Sequence, residues 1–274
     1  MQIRIGYDIR FKIPRRVVIV ALLEVHPSRL ADLLAPDQMQ IHPGVSVERF
    51  ADSFGNRCCR FSVPKGELYL WNSTLIEDSG QPEEQDIDAV QMDVCDLPPE
   101  TLPFLLSSRY CEVDLLCETA WSLFGNIVPG GPRVQAICDW IHDRITFGYE
   151  FARPTKTATQ VLEEQNGVCR DFQHLAITFC RCLNIPARYA TGYLGDIGIS
   201  PGPYPMDFNA WFQAYLGGCW WTFDARHRQP RIGRVLIATG RDAADVAFTT
   251  SFGSAVLTEF KVITEQVTES SVSG

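Results

Sequence analysis

The stretch that decides the fold is Gly167–Pro186, GVCRDFQHLAITFCRCLNIP. Phe172, Leu175, Ala176, Phe179 and Leu183 recur there at intervals of three and four, the apolar stripe of a helix. Ile185-Pro186 ends the pattern because proline cannot continue a helix. The helix is therefore predicted to begin near Cys169. Its first turn carries unpaired amides and the positive end of the helix dipole, which favour a thiolate and predict a depressed cysteine pKa. Gly167 gives the chain room to turn and leaves the sulfur open, and the Cys169 amide can donate to an oxyanion on an attacked carbonyl. The competing reading is packing, since the chain has ten cysteines and free cysteines are commonly core residues. Cys111, Cys117, Cys138, Cys180, Cys182 and Cys219 fit that reading better than Cys169 does.

Downstream, Phe208–His227, FNAWFQAYLGGCWWTFDARH, reads as two strands joined by Gly217-Gly218, a two-residue turn suited to antiparallel twist. Leu216 then faces Cys219, Trp211 faces Asp224 and Asn209 faces Arg226. Alternation puts Ala210, Phe212, Ala214 and Leu216 on one face with Trp221, Phe223 and Ala225, the predicted buried side. Asn209, Trp211, Gln213, Tyr215, Trp220, Thr222, Asp224 and Arg226 share the other. That face mixes polar and aromatic groups, with Asn209 and Asp224 as diagonal neighbours, and is the predicted site. Trp211, Trp220 and Tyr215 are candidate walls of a substrate cleft or, equally, packing residues. The plainer alternative is a solvent face that ends in Asp224.

Upstream, Met1 to about Leu75 has short β-type runs such as QIRIGYDIRF, VVIVALLEV and ELYLWNSTLI, broken by turn residues. EDSGQPEEQDIDAVQMD, residues 77–93, loses hydrophobicity and is the linker candidate. Helical spacing begins near Pro98 and recurs over Val113 to Phe124 and Val134 to Ile145. Helices followed by antiparallel strands define an α+β unit. The predicted organisation is an all-β module with its linker over 1–95, a catalytic unit over 96–266, and a polar tail over 267–274. IGRVLIATGRDAADVAFTTSFG has no phosphate-loop spacing; Asp242 to Ala247 reads as a turn or short helix before a last strand at Ala255 to Ile263. Arg231, Arg234 and Arg241 either hold a substrate carboxylate or, more simply, pair with nearby acids.

The 274 residues carry a formal charge of −9, so neither nucleic acid nor an anionic membrane is an expected partner. Val17–Leu23 is too short to span a bilayer. Without a recognisable secretion signal, the ten cysteines are expected to be reduced, in a cytoplasmic protein. The sequence has no Cys-x-x-Cys pair and no Asp-x-Asp-x-Asp-Gly loop, so neither metal nor other cofactor is expected. Oligomeric state is not legible.

Three ordered blocks, GVCRDFQHL, NIPARYATGYLG and NAWFQAYLGGCWWTFDARH, resemble the bacterial transglutaminase-like family of candidate cysteine proteases. The likeness runs from about Pro98 to Phe260, and the β-rich segment before it resembles the β-sandwich that accompanies this domain in bacteria. The resemblance implies a papain-like α+β core with helices packed on an antiparallel sheet. It also implies a triad of a cysteine at the helix start, a histidine opening the following strand and an aspartate ending the next. Cys169 and Asp224 match the first and third. The second position is Asn209, which cannot take a proton from a thiol. Among the five histidines, His174 lies about 140° round the helix from Cys169. His26 and His42 fall in the β module, and His142 falls on an earlier helix. His227 follows Asp224 by three residues; strict alternation aims it at the wrong face, but the chain must leave the sheet before Pro230, and a turned backbone can bring it back. His227 is the expected substitute base, oriented by Asp224 or Asn209. The implied activity is acyl transfer on protein or peptide amides through a Cys169 thioester, with hydrolysis favoured over crosslinking. The alternative is a degenerate module that binds a peptide or protein partner.

Overall fold

Alternation in the first strand sets up the first layer. In β1 (Gln2–Ile13), Ile3, Ile5, Tyr7, Ile9, Phe11 and Ile13 are all buried, the inward face of a period-two strand. The coordinates are a computed structural model that describes residues 1–202 and 204–267; the expected tail lies outside them apart from Val267. The strands β2 (Val17–Ala21), β3 (Gln40–His42), β4 (Val47–Ala51), β5 (Arg57–Val63) and β6 (Gly66–Glu77) complete the β module. β1 pairs with β6 and β6 with β3, while β2 pairs with β5 and β5 with β4, all antiparallel. Val17, Ile19, Phe61 and Val63 are buried in the same apolar core as the β1 face, as in two sheets packed face to face.

The helical unit follows with α1 (Val113–Phe124), α2 (Gly131–Arg144), β7 (Thr146–Phe147), α3 (Ala158–Glu164), β8 (Asn166–Gly167) and α4 (Cys169–Cys182). Its sheet is β9 (Ala187–Tyr193), β10 (Asn209–Leu216), β11 (Cys219–Phe223) and β12 (Val235–Gly240), in the order β11-β10-β9-β12. Helix α4 begins at Cys169 as predicted, but it has no solvent face: every residue from Asp171 to Cys182 is buried. Most of its polar side chains find partners inside, although Nδ1 of His174 is buried without one. Arg181 donates to the carbonyls of Leu106, Ala187 and Arg241. The Ala243 amide donates to Nε2 of His174 at 3.1 Å, and the ring stacks on Tyr110 at 4.9 Å, so His174 is structural. Asn184 then takes a left-handed conformation, φ 61°, as a residue just past a helix end commonly does.

The β10–β11 register matches the prediction, with Leu216 opposite Cys219 across Gly217 (φ 58°) and Gly218 (φ 89°), both left-handed as a type I′ turn requires. Ala210, Phe212, Ala214, Leu216, Phe223 and Ala225 are buried, and α4 packs on β9 and β10.

The chain then returns to its beginning. β13 (Thr249–Ser251) pairs with β2, and β14 (Val256–Gln266) pairs with β1 along nearly its whole length. The stretch 96–266 expected as one unit thus donates its last two strands to the N-terminal sheets. The β module also grips the edge of β12. Asn56 exchanges two side-chain hydrogen bonds with the Thr239 backbone, each 2.8 Å, and the His26 amide donates to Leu236 O at 2.9 Å. An edge strand that is otherwise open for pairing is thereby covered.

Candidate active site

The helix start is built by its own first turn. Oδ2 of Asp171, three residues into α4, accepts the Val168 amide at 3.0 Å, which ties the entering chain to the helix. A Cβ at Gly167 would stand 2.7 Å from Asp171 Cβ, so only glycine fits where this carboxylate folds back. Cys169 is half-buried and opens on a cavity of about 390 Å³ that also touches Tyr189, Thr191, Asp207, Asn209 and Ala210. Burial pushes its thiol up to about 11; the Arg226 guanidinium and the Ala210 and Arg170 amides oppose that rise, and the Asp207 carboxylate adds to it. The depressed pKa expected from the helix dipole is therefore overturned, because desolvating the sulfur outweighs the amides that face it.

Asp224 directly follows β11 and is buried. Its Oδ1 accepts the amides of Arg226 (2.9 Å) and His227 (3.1 Å) and the Gln173 side-chain amide (3.0 Å). The two backbone bonds turn the chain out of the sheet, and His227 comes back with Nδ1 2.9 Å from Asp224 Oδ2. Burial disfavours the Asp224 charge, but Arg234 and His227 outweigh it and hold the carboxyl well below the usual carboxylate range. An ionised Asp224 accepts from Nδ1–H and so leaves Nε2 of His227 as the acceptor nitrogen. Gln173 lies one helical turn beyond Cys169, on the same face of α4, so one side chain links the helix headed by Cys169 to the aspartate-histidine pair.

Because the folded pKa of Asp224 is depressed, its contribution to stability is complete above the unfolded value, near 4. It is lost as pH falls towards the folded value. Acid titration of the urea midpoint between about pH 5 and 2 should show a steeper fall in the wild type than in Asp224→Asn; equal slopes would remove the assigned pairing.

Behind Asp224 stands Arg234, Nη2 to Oδ2 2.7 Å, and behind Arg234 stands Glu83 of the polar linker, Oε1 to Nε 2.6 Å. The segment expected to be a mere connector thus contributes a carboxylate to the support of the site. The guanidinium also lies 4.9 Å over the Trp211 ring, a cation–π contact. Glu83→Gln should lower stability, because the buried guanidinium loses one of its two carboxylate partners; an unchanged urea midpoint would show the contact to be idle. The other two arginines are engaged as well, Arg231 with Gly195 O (3.0 Å) and Arg241 with Asp245 (2.9 Å).

The remaining candidates separate. Asn209 does not touch Asp224; its amide donates to Leu194 O and Asp207 O and its oxygen accepts from Arg226 at 3.4 Å. Asp224, then, is the residue that orients His227. Trp211, Tyr215 and Trp220 lie on the sheet face away from Cys169 and line neither its cavity nor that of His227. Trp211 borders a separate cavity together with Glu83 of the linker, and Trp220 packs edge-on against Phe104 at 5.3 Å and Tyr215 at 5.2 Å, so none of the three stands in the Cys169 cavity.

Three participants went unrecognised in the sequence. Asp207 borders both the cavity of Cys169 and a smaller one of about 70 Å³ that holds His227, and burial raises its carboxyl. Arg226 is the cation acting on Cys169. Its position opposite Asn209 was legible, but its orientation towards the sulfur follows from the turn at Asp224. His142, on α2, meets that turn with Nδ1 2.7 Å from Arg226 O.

Residues 125–225 match the family model described as the transglutaminase-like superfamily. A crystal structure of a candidate cysteine protease from Cytophaga hutchinsonii superposes with a TM-score of 0.82; it is 32% identical, and the alignment covers 97% of this chain and 90% of that one. The uncharacterised protein ML0607 of Mycobacterium leprae (strain TN) is 23% identical over 217 residues, 77% of each chain.

Proposed function

This chain belongs to the transglutaminase-like superfamily, and from that premise we propose that it is a cysteine-dependent amidase that hydrolyses protein or peptide amides through a Cys169 thioester. The observation that carries this reading is the Asp224–His227 pair, anchored through Gln173 to the helix that Cys169 heads. A base is needed. With the thiol at about 11, roughly one sulfur in ten thousand is ionised at pH 7. His227 Nε2 supplies that base as the sulfur attacks the carbonyl carbon, and the carbonyl π pair moves to oxygen. The C–N bond then breaks and the imidazolium proton passes to the leaving nitrogen. Water, deprotonated by the same ring, attacks the thioester and returns the thiol and a carboxylic acid. Hydrolysis rather than crosslinking is favoured by the description of the Cytophaga relative as a candidate protease.

Incubation with an electrophilic glutamine-mimicking probe tests the reading. Covalent labelling of the wild type and none of Cys169→Ala is expected. Asparagine at position 209 favours a second reading, a module that binds a peptide without turning it over. Probe retention that survives Cys169→Ala would support the second reading and end the first.

A further inference from the structure

The cavity at Cys169 and the cavity at His227 meet at Asp207 and Asn209 but differ in character. The smaller one is mostly polar, with Tyr149, Asp196, Asp207, Arg226, His227 and Arg231 in its lining, although Leu194, Pro205 and Met206 border it too. Away from Cys169, the larger one is walled by Phe208, Val246, Ala247, Phe248 and Phe260. Phe208 stacks on Phe248 with ring centroids 4.0 Å apart and meets Phe260 edge-on at 5.8 Å. Phe208 and Val246 are buried, whereas Ala244 at the rim and Phe260 are exposed, so the apolar floor has an open mouth. The charged groups in its lining are Arg170 and Asp207, and both already have partners in the chain, Arg153 O at 2.8 Å and the Phe208 amide at 2.7 Å. The walls come from β10's approach, the loop after β12 and β14 of the returning β module, a crevice between two units where ligand sites commonly form.

We infer that this cavity is the acyl-side specificity subsite, and that it accepts an aromatic or long aliphatic side chain of the residue whose carbonyl Cys169 attacks. The inference rests on the thioester reading. In that chemistry the imidazolium hands its proton to the leaving nitrogen, so the leaving group lies on the His227 side, among the polar residues. The acyl group lies on the other side of the sulfur, where the walls are apolar. At about 390 Å³ the space is in the range of ligand pockets and takes one large side chain. Its uncommitted surface offers no charge for an acidic or basic one.

The test compares inactivation of the full chain by two chloromethyl ketones, N-acetyl-phenylalanyl and N-acetyl-glycyl. In each, sulfur bonds to the methylene carbon, the C–Cl bond breaks with chloride taking the electron pair, and the thiol proton passes to base. Labelling of Cys169 is read by mass spectrometry. The phenylalanyl reagent should react about tenfold faster or more, given what burial of such a side chain contributes. Ala247→Phe, which fills the cavity, should bring the ratio towards one. Phe260→Glu should do the same from the exposed β14, where folding is less at risk. Equal rates in the wild type, with Cys169 labelled by both, would overturn the subsite and leave the nucleophile standing. A wild-type preference that persists in both variants would overturn it too. Labelling by neither reagent would remove the thioester reading and the subsite with it.

Discussion

Replacing His227 by alanine should lower the rate of Cys169 acylation by a peptide ester by about 10²- to 10⁴-fold, the usual worth of a positioned general base. The size of the effect follows from the state of the sulfur. A thiolate already formed would react without help, but burial holds this thiol protonated, with a pKa of about 11. The proton must leave as the carbon–sulfur bond forms. Asp224 fixes the ring by its Nδ1 and leaves Nε2 to accept. The variant should fold normally, since His227 is only half-buried and Asp224 keeps Arg234, Gln173 and two backbone amides. Single-turnover measurements with the ester read the acylation step directly. A decrease of less than threefold would assign the proton to another group, with Asp207, already raised by burial, the first to examine.

Arg234→Met carries the largest expected loss of stability, about 3–5 kcal/mol, because removing one member of a buried ion pair leaves the other charged and unsolvated. Asp224 and Arg234 have side chains 3% and 5% exposed, and Glu83 on the far side of the guanidinium is 19% exposed, so little water reaches the stranded carboxylates. Methionine keeps much of the volume under Trp211 while removing the charge. The urea midpoint should fall at an unchanged m-value. A loss below 1 kcal/mol would mean that the Glu83–Arg234–Asp224 chain is solvated and contributes little.

Much of this was legible because it is local. The spacing of Phe172, Leu175, Ala176 and Phe179 fixed the helix and hence the place of Cys169, and Gly217-Gly218 fixed the hairpin register and therefore which residues share a face. The likeness of three short blocks to the transglutaminase-like family supplied the α+β core. Alternation did not reveal that both faces of the sheet are covered. Trp211, Tyr215 and Trp220 share a face with polar residues, so they read as cleft walls, although that face looks towards the linker and Phe104 and not into the Cys169 cavity. Only one face carries α4, and the sulfur is on that one. Nor did the sequence show that β13 and β14 return to β2 and β1, since such pairings join segments more than two hundred residues apart. The Cys169 pKa failed for a related reason: the helix start is visible in sequence, but the burial that overrides it is made by distant strands. The contact of His227 with Asp224 was recoverable because Pro230 forces the chain out of the sheet, and the Asp224 carboxylate then captures the turn.

The pH dependence of Cys169 acylation, measured in the wild type and in His227→Ala, bears most directly on the assignment of sulfur and base. With a neutral imidazole as proton acceptor, the wild-type rate should level off well below the pH at which the thiol itself ionises. The variant should keep climbing with pH towards about 11, where the isolated thiol ionises. Superimposable profiles that both climb without levelling would contradict the account, because they would show that no imidazole takes the proton from Cys169.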